Sequence, residues 1–540
     1  MHDAPLQPSA RRHSHARTPL THRFTRTPRT NIMFTTRVHA VRAAFAPRAT
    51  IFSKTTRTNA TSAAGGAAGA RAPSTGRGGR GGRGGRGGRG RSDDQVMPRQ
   101  RRNFTDAQLE NLARLRGMID ANGESERFRV VVVSRGKANM FLDGNPIVYA
   151  GAIEKVIGNV KTNDFVCVTD HALAPICLGM YNSTSAYAVR VTEMAWEHEG
   201  VMSVGDVVRR RIREAFELRR DLGLTTGDSS STTCYRLVNS EGDRLSGLNA
   251  DVYGDVVVCS STAAWIESER VNVCRGIADV LGANTKVVWR RDAKMYEAEG
   301  TPVVGDFMSC YDAATGEATA IPGEVRVFEN GVQYAIDIEH GHKTGFYVDQ
   351  RENRMAIRDL SRGKKVLDVC CYTGGFALNA AVGGATSVVA VDSSDAALRV
   401  AARNAELNNV QDKINFVRAD AFDFMQEAID RGESGTYDVV VLDPPKFAPN
   451  KQSLTKALPK YVGLNKRAMA LLRPGGVLIT CSCSGAVTQD DLMPKIIENA
   501  ARAVGKTATI ATKKSAGGDQ PIDPCYEFGE YLTVLTARVR

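Results

Sequence analysis

The sequence predicts an α/β chain in three folded parts. A Rossmann-like doubly wound domain covers residues 331–540, a small β-barrel covers 127–200, and an α+β region lies between them at 205–330. Three observations predict this. From Lys364 onward, apolar strand-like runs alternate with amphipathic helical stretches, the pattern of a parallel sheet covered on both faces. Between 127 and 195, short Val- and Ile-rich runs are separated by Gly and Asn turns, as in a small barrel. Residues 1–95 are so rich in Arg, Gly, Ser, Thr and Ala that they cannot bury a core.

The barrel strands read as 127–134 (a Val-rich run), 164–170 (alternating), 178–181 and 186–191, with 147–160 mixing strand and short helix after an Asn145-Pro146 turn. The globular chain is expected to begin near Arg127. In the middle region, 206–222 is a charged amphipathic helix, and the stretch from Tyr235 reads strand–turn–strand–turn–strand without a catalytic constellation. In the last part, strands are expected at 365–369, 387–391, 414–418, 437–442 and 477–480. Helices are expected from 376, at 395–408, at 420–431 and at 456–472, and Arg473-Pro474-Gly475-Gly476 reads as a turn.

Ligands in doubly wound sheets bind at the carboxyl ends of the strands. There the first strand runs through Asp368 into Cys-Cys-Tyr372-Thr373-Gly374-Gly375-Phe376, where two glycines would let the backbone approach a ligand. The second strand ends in Asp392, placed to accept ribose hydroxyls. The third leads to Asp420, placed to meet an adenine edge. The fourth ends in Asp443-Pro444-Pro445-Lys446. An acid at a strand end is often only a helix cap, but the ordered set points to S-adenosylmethionine (SAM). A dinucleotide site would carry G-x-G-x-x-G, and no phosphate-loop lysine is present.

Charge is unevenly distributed. Residues 1–92 carry 17 Arg and one Lys against one acid, whereas the remainder has 53 basic and 58 acidic residues. A nucleic-acid partner would therefore be gripped by local patches rather than by a global field. Residues 1–64 have the composition of an organelle import peptide, plastid before mitochondrion, with Met33 as a second candidate start. The tract GRGGRGGRGGRGGRGR at 76–91 is expected to be disordered, either an RNA-gripping segment or a spacer. Eleven scattered Cys, with no C-x-x-C ligand set, point to reduced thiols and no structural zinc. His340 and His342 lack a third ligand, so no metal is expected. No run of 18 or more apolar residues appears, so no membrane partner is expected.

The segments HGHKTGFYVDQRENR (340–354), VLDVCCYTGGFALNAA (366–381), VVLDPPKFA (440–448) and TCSCSG (480–485) together resemble the bacterial large-subunit rRNA methyltransferases that modify carbon 5 of cytosine. The resemblance covers about residues 127–540. In the barrel, G-x-P-x-V-Y-x-G-A-I, D-x-V-x-V-x-D and G-x-Y-N are similar to a PUA domain, an RNA-binding module. The resemblance implies Cys483 as nucleophile, attacking carbon 6 so that carbon 5 can take the methyl group. It implies Asp443 as the group that orients the base, helped by the backbone at Pro444. It sets Lys343, Arg351, Pro445 and Lys446 on the RNA side, with Lys446 either a phosphate contact or a solvated residue. Such a nucleophile calls for a lowered thiol pKa. Cys370, Cys371 and Cys481 are expected to be small packing groups. Two rivals are an rRNA guanine or amine methyltransferase, which needs no thiol, and an inactive RNA-binding assembly factor. A homodimer is the expected oligomer if one forms.

Overall fold

The computed structural model describes residues 102–200, 203–225, 231–301 and 305–540. The expected import peptide and the Arg-Gly tract lie outside the described residues.

The first module is a six-stranded sheet in the spatial order Ile147–Tyr149, Tyr187–Met194, Pro175–Tyr181, Phe165–Thr169, Arg129–Val133, Ile153–Ile157. Its two outer strands are consecutive in the chain, joined by the 3-10 turn Ala150–Ala152, so the sheet curls back on itself as a barrel. Val131, Val133, Val166, Val168, Val189 and Val191 fill its inside. The folded chain starts earlier than expected. Helix Asp106–Gly117 opens with a Thr105/Gln108 capping box and packs Leu115, followed by Ile119, against Phe128, Val130 and Leu178. Its apolar spacing is sparse, which hid it in the sequence.

The middle region is a second six-stranded sheet with one parallel pair, Val256–Ser261 beside Lys286–Arg291, bridged by helix Arg270–Leu281. One face packs Val208, Ile212, Val273 and Ile277 from two helices against Trp289 and Leu237. The other face is not independent. Cys234, Tyr253, Val258 and Val288 share one core with Ile336, Ile357, Val366 and Phe376 of the last part. A division at 330 cuts the hairpin Glu324–Glu329/Val332–Asp337 in half. Barrel and middle region are tied by a buried polar knot. Glu299 accepts hydrogen bonds from Ser185 Oγ (2.6 Å), Arg190 Nη2 (2.8 Å) and Asn182 Nδ2 (3.1 Å).

The last part is a seven-stranded sheet, ordered Ile414–Arg418, Ser387–Asp392, Lys365–Val369, Tyr437–Leu442, Leu472–Ser482, Thr533–Val539, Ala508–Lys514. The first five strands are parallel, and Thr533–Val539 runs antiparallel to both neighbours. The chain reverses direction across the sheet at Lys365–Val369, which opens a crevice at the carboxyl edge. The expected turn at 473–476 is instead a bulge inside strand Leu472–Ser482. Pairing jumps from Tyr437↔Leu472 to Val439↔Val477, and Gly475 takes φ +78°.

Candidate active site

At that carboxyl edge lies a cavity of about 860 Å³. The loops that follow strands Lys365–Val369, Ser387–Asp392, Tyr437–Leu442 and Leu472–Ser482 all reach it.

One half is built around the first loop. Tyr372 and Phe376 line the cavity. Asp392 also lines it and holds the loop, accepting from Tyr372 N (2.8 Å) with one oxygen and from Ser394 N (2.9 Å) with the other. Asp420 lines it while capping helix Ala421–Asp430 through Phe422 N (2.8 Å). It is a cap and a cavity wall at once, so the two readings of a strand-end acid do not compete here.

Asp368 and Thr373 stand behind the loop rather than in the cavity. Asp368 is fully buried, accepts from Ala377 N (2.9 Å), and leaves Oδ1 without a partner. Burial pushes its carboxyl up to about 8, with Asp443 and Asp392 adding to the shift. The Thr373 carbonyl accepts from Asn404 Nδ2 (3.2 Å). The glycines also serve a different purpose from the one expected. A Cβ on Gly374, whose φ is +82°, would meet Ala401 Cβ at 3.2 Å, and one on Gly375 would meet Arg354 Cδ at 2.9 Å. Both make room for protein packing, and the loop residues that line the cavity include Cys370 and Cys371 instead. These two cysteines are therefore cavity walls and not only packing groups.

The other half carries polar chemistry. Asp443, Pro444, Pro445, Lys446 and Cys483 all line the cavity. Asp443 accepts from Gln350 Nε2 (3.0 Å), and Gln350 is fixed in turn by Asn353 Nδ2 on its Oε1 (2.8 Å). Burial lifts the Asp443 carboxyl to about 6, Asp349 adds to the rise, and Lys343 and Gln350 oppose it. Lys343 pairs with Asp349 (3.1 Å) and sits 4.2 Å over the Tyr347 ring. Tyr531 OH donates to the same Asp349 (2.6 Å). His342 stacks on Tyr372 at 5.0 Å between ring centroids.

Two expectations are corrected here. Burial and the Asp443 charge push the Cys483 thiol up, against the pull of Lys343 and Lys446, so it is not a preformed thiolate. Arg351 does not face the cavity. It is buried and clamped by both oxygens of Asp519 (2.8 and 2.9 Å), a partner 168 residues away, which makes it a structural ion pair. Cys481, two residues before Cys483, is wholly buried in the core shared with the middle sheet. Sequence reasoning missed Asp349, Tyr347 and Tyr531. The first two sit inside the quoted 340–354 segment, but Tyr531 carries no local signal. Among the described residues no group of three His, Cys, Asp or Glu is arranged to hold a metal ion, and no helix is long and apolar enough to cross a membrane.

The residues fit SAM. Asp392 and Asp420 offer acceptors beside the apolar Val391, Phe376 and Phe422, and the carboxylates of Asp443 and Asp349 suit a cationic sulfonium.

Comparison with known proteins agrees. A family profile described as S-adenosylmethionine-dependent methyltransferase matches residues 300–512, and one for a PUA-like domain matches 131–193. The ribosomal RNA large subunit methyltransferase I of Escherichia coli O139:H28 (strain E24377A) is 34% identical over 412 residues, 76% of this chain and 99% of the relative. That of Escherichia coli K12 gives the same figures. Two solved structures share the fold. The methyltransferase SMU.776 complexed with SAH has 21% identity and a TM-score of 0.63, covering 76% of this chain and 99% of its own. A chain assigned as a SAM-dependent methyltransferase from Streptococcus mutans has 19% identity and a TM-score of 0.62 over the same shares. A SAM cleft at the carboxyl edge of the sheet, a PUA-like barrel ahead of it, and 34% identity across nearly the whole of these relatives establish that the chain belongs to the ribosomal RNA large subunit methyltransferase I family.

Proposed function

We propose that this protein methylates carbon 5 of a cytosine in large-subunit rRNA, with Cys483 as the nucleophile. The observation that carries the reading is that Cys483 and Asp443 line the same cavity as the cofactor loop. The rRNA substrate is supported by the relatives' names and by the PUA-like barrel.

The cofactor supplies the methyl group. Cys483 adds its sulfur to carbon 6 of the base, which raises electron density at carbon 5. Asp443 faces the N3 and amino edge. With a carboxyl near 6 it can hold the proton that the thiol gives up, donate it toward N3, and accept from the amine. One proton shared by Cys483 and Asp443 thus reconciles a raised thiol with thiolate chemistry. After methyl transfer the carbon-5 proton leaves to solvent, the carbon–sulfur bond breaks, and the thiolate recovers its proton. The target base must be unstacked to enter.

RNA containing 5-fluorocytidine tests this, because fluorine at carbon 5 blocks the elimination. The wild-type chain and Cys481→Ala trap a covalent complex, and Cys483→Ala does not. Trapping by Cys483→Ala defeats the assignment. Transfer to guanine or to an exocyclic amine that survives Cys483→Ala would favour the thiol-free chemistry. We further propose import into a plastid or mitochondrion by residues 1–64. A diffuse cytosolic signal from a fluorescent fusion of that segment refutes it.

A further inference from the structure

A second cavity of about 320 Å³, at the small end of ligand pockets, adjoins the first and shares Lys343 and Tyr531 with it. It lies between the middle sheet and the segment before the last strand, close to the barrel, where Asn145 Nδ2 donates to Cys525 O (3.3 Å). Its charges are internally matched. Arg236 forks onto Asp251 (2.5 and 3.0 Å), Arg244 holds Asp523 (2.9 Å), and Lys343 holds Asp349. With those cations already paired, the pocket is poorly made for phosphate. What it offers instead is a planar wall and polar edges. Phe528 is 52% exposed, against Tyr526 at 5.6 Å between centroids. The same pocket is lined by Asn239 and Asn249, whose Oδ1 atoms accept from Arg236 Nη1 (2.9 and 3.1 Å), and by Glu241. Asn239 Nδ2 donates to Pro521 O (2.9 Å) and Glu241 Oε1 accepts from Ser246 Oγ (2.6 Å), which leaves Asn249 Nδ2 and the second Glu241 oxygen to meet a ligand. An aromatic face beside amide and carboxylate groups is the chemistry that receives an unstacked base.

We propose that this pocket binds a second splayed nucleobase of the RNA, one next to the target and carrying an amino group for Glu241 to accept. The inference rests on the rRNA reading above. It gives the enzyme a way to hold its substrate by two unstacked bases, one per cavity.

The test is methyl transfer to an unmodified large-subunit rRNA transcript. Phe528→Ala raises KM for RNA roughly 10-fold, the scale of one lost base stack, while kcat and SAM affinity by calorimetry stay at the wild-type value, and Phe528→Trp restores KM. With p-benzoylphenylalanine at position 528, cross-links fall on nucleotides flanking the methylated cytosine. An unchanged KM in Phe528→Ala, or cross-links far from the modified position, overturns the subsite alone. Absence of RNA methylation by the wild-type chain overturns the rRNA reading and the subsite with it.

Discussion

The cleft and the barrel–middle junction both bury carboxylates, but they treat them differently. At the junction every one is matched. Glu299 meets Arg190, and Glu193 meets Arg210 and His198. Burial alone would raise the Glu193 carboxyl, but the His198 hydrogen bond and the Arg210 charge outweigh it and hold it below the usual range. In and around the cleft the outcome is split. Asp349, paired with Lys343 and Tyr531, is held below the usual range. Burial wins at Asp443, lifted to about 6, and at Asp368 behind the cofactor loop, lifted to about 8. The difference separates scaffold from chemistry: a paired acid fixes a joint, and an underpaired acid beside a cavity is poised to exchange a proton or meet a ligand.

The largest effect that sharpens this contrast is on turnover. Cys483→Ala lowers kcat on the order of 10⁴-fold or more, as for other covalent nucleophiles, while the urea midpoint barely moves because the residue is only half-buried. A variant retaining a tenth of wild-type kcat would remove the thiol from the mechanism. At the junction the effect is the reverse. Glu299→Ala leaves Arg190 buried without its partner and costs about 3–5 kcal/mol of stability, read by urea unfolding, with SAM affinity in the folded fraction unchanged. A loss below about 1 kcal/mol would mean that Ser246 and Glu241, which also contact Arg190, suffice to hold it.

The next effect is a pH limb. The reactive form of the Cys483–Asp443 pair carries one proton. Below the Asp443 value both groups are protonated, so kcat/KM rises with pH up to about 6 and then levels until the thiol itself ionises. Asp443→Asn lowers the rate and abolishes the limb near 6. A limb of the same position in Asp443→Asn would assign it to another group.

How much of this was legible follows from where each partner lies in the chain. Asp392 ends its strand, Asp443 and Cys483 directly follow theirs, and Asp420 comes two residues after its own, so a correct strand reading sets them at one sheet edge. The resemblance sets Arg351 on the RNA side with Lys343, but of the two only Lys343 lines the cavity. The partner of Arg351, Asp519, comes from a distant loop that no local pattern links to it. Tyr531 reaches Asp349 only because the last strand runs antiparallel into the sheet. The upward shift of the thiol is set first by burial and then by the Asp443 charge beside the sulfur, neither of which a local sequence pattern shows. Boundaries failed where cores are shared, at Gly331 in a hairpin and at the sparse helix Asp106–Gly117.

The last effect concerns Asp368, which has no cation and faces no solvent. Its carboxyl titrates near 3.9 in the unfolded chain and about 8 when folded. Below about pH 4 it is protonated in both states and costs nothing. As pH rises toward 8 the unfolded chain releases the proton and the folded one keeps it, so stability falls across that window and flattens above it. Asp368→Asn cannot ionise, and its amide oxygen can still accept from Ala377 N. The variant should therefore match the wild type near pH 4 and gain on it steadily toward pH 8, measured as the difference in urea midpoint at each pH. A constant difference would mean that Asp368 is ionised in the folded protein, with a partner for Oδ1 that the buried site does not otherwise supply.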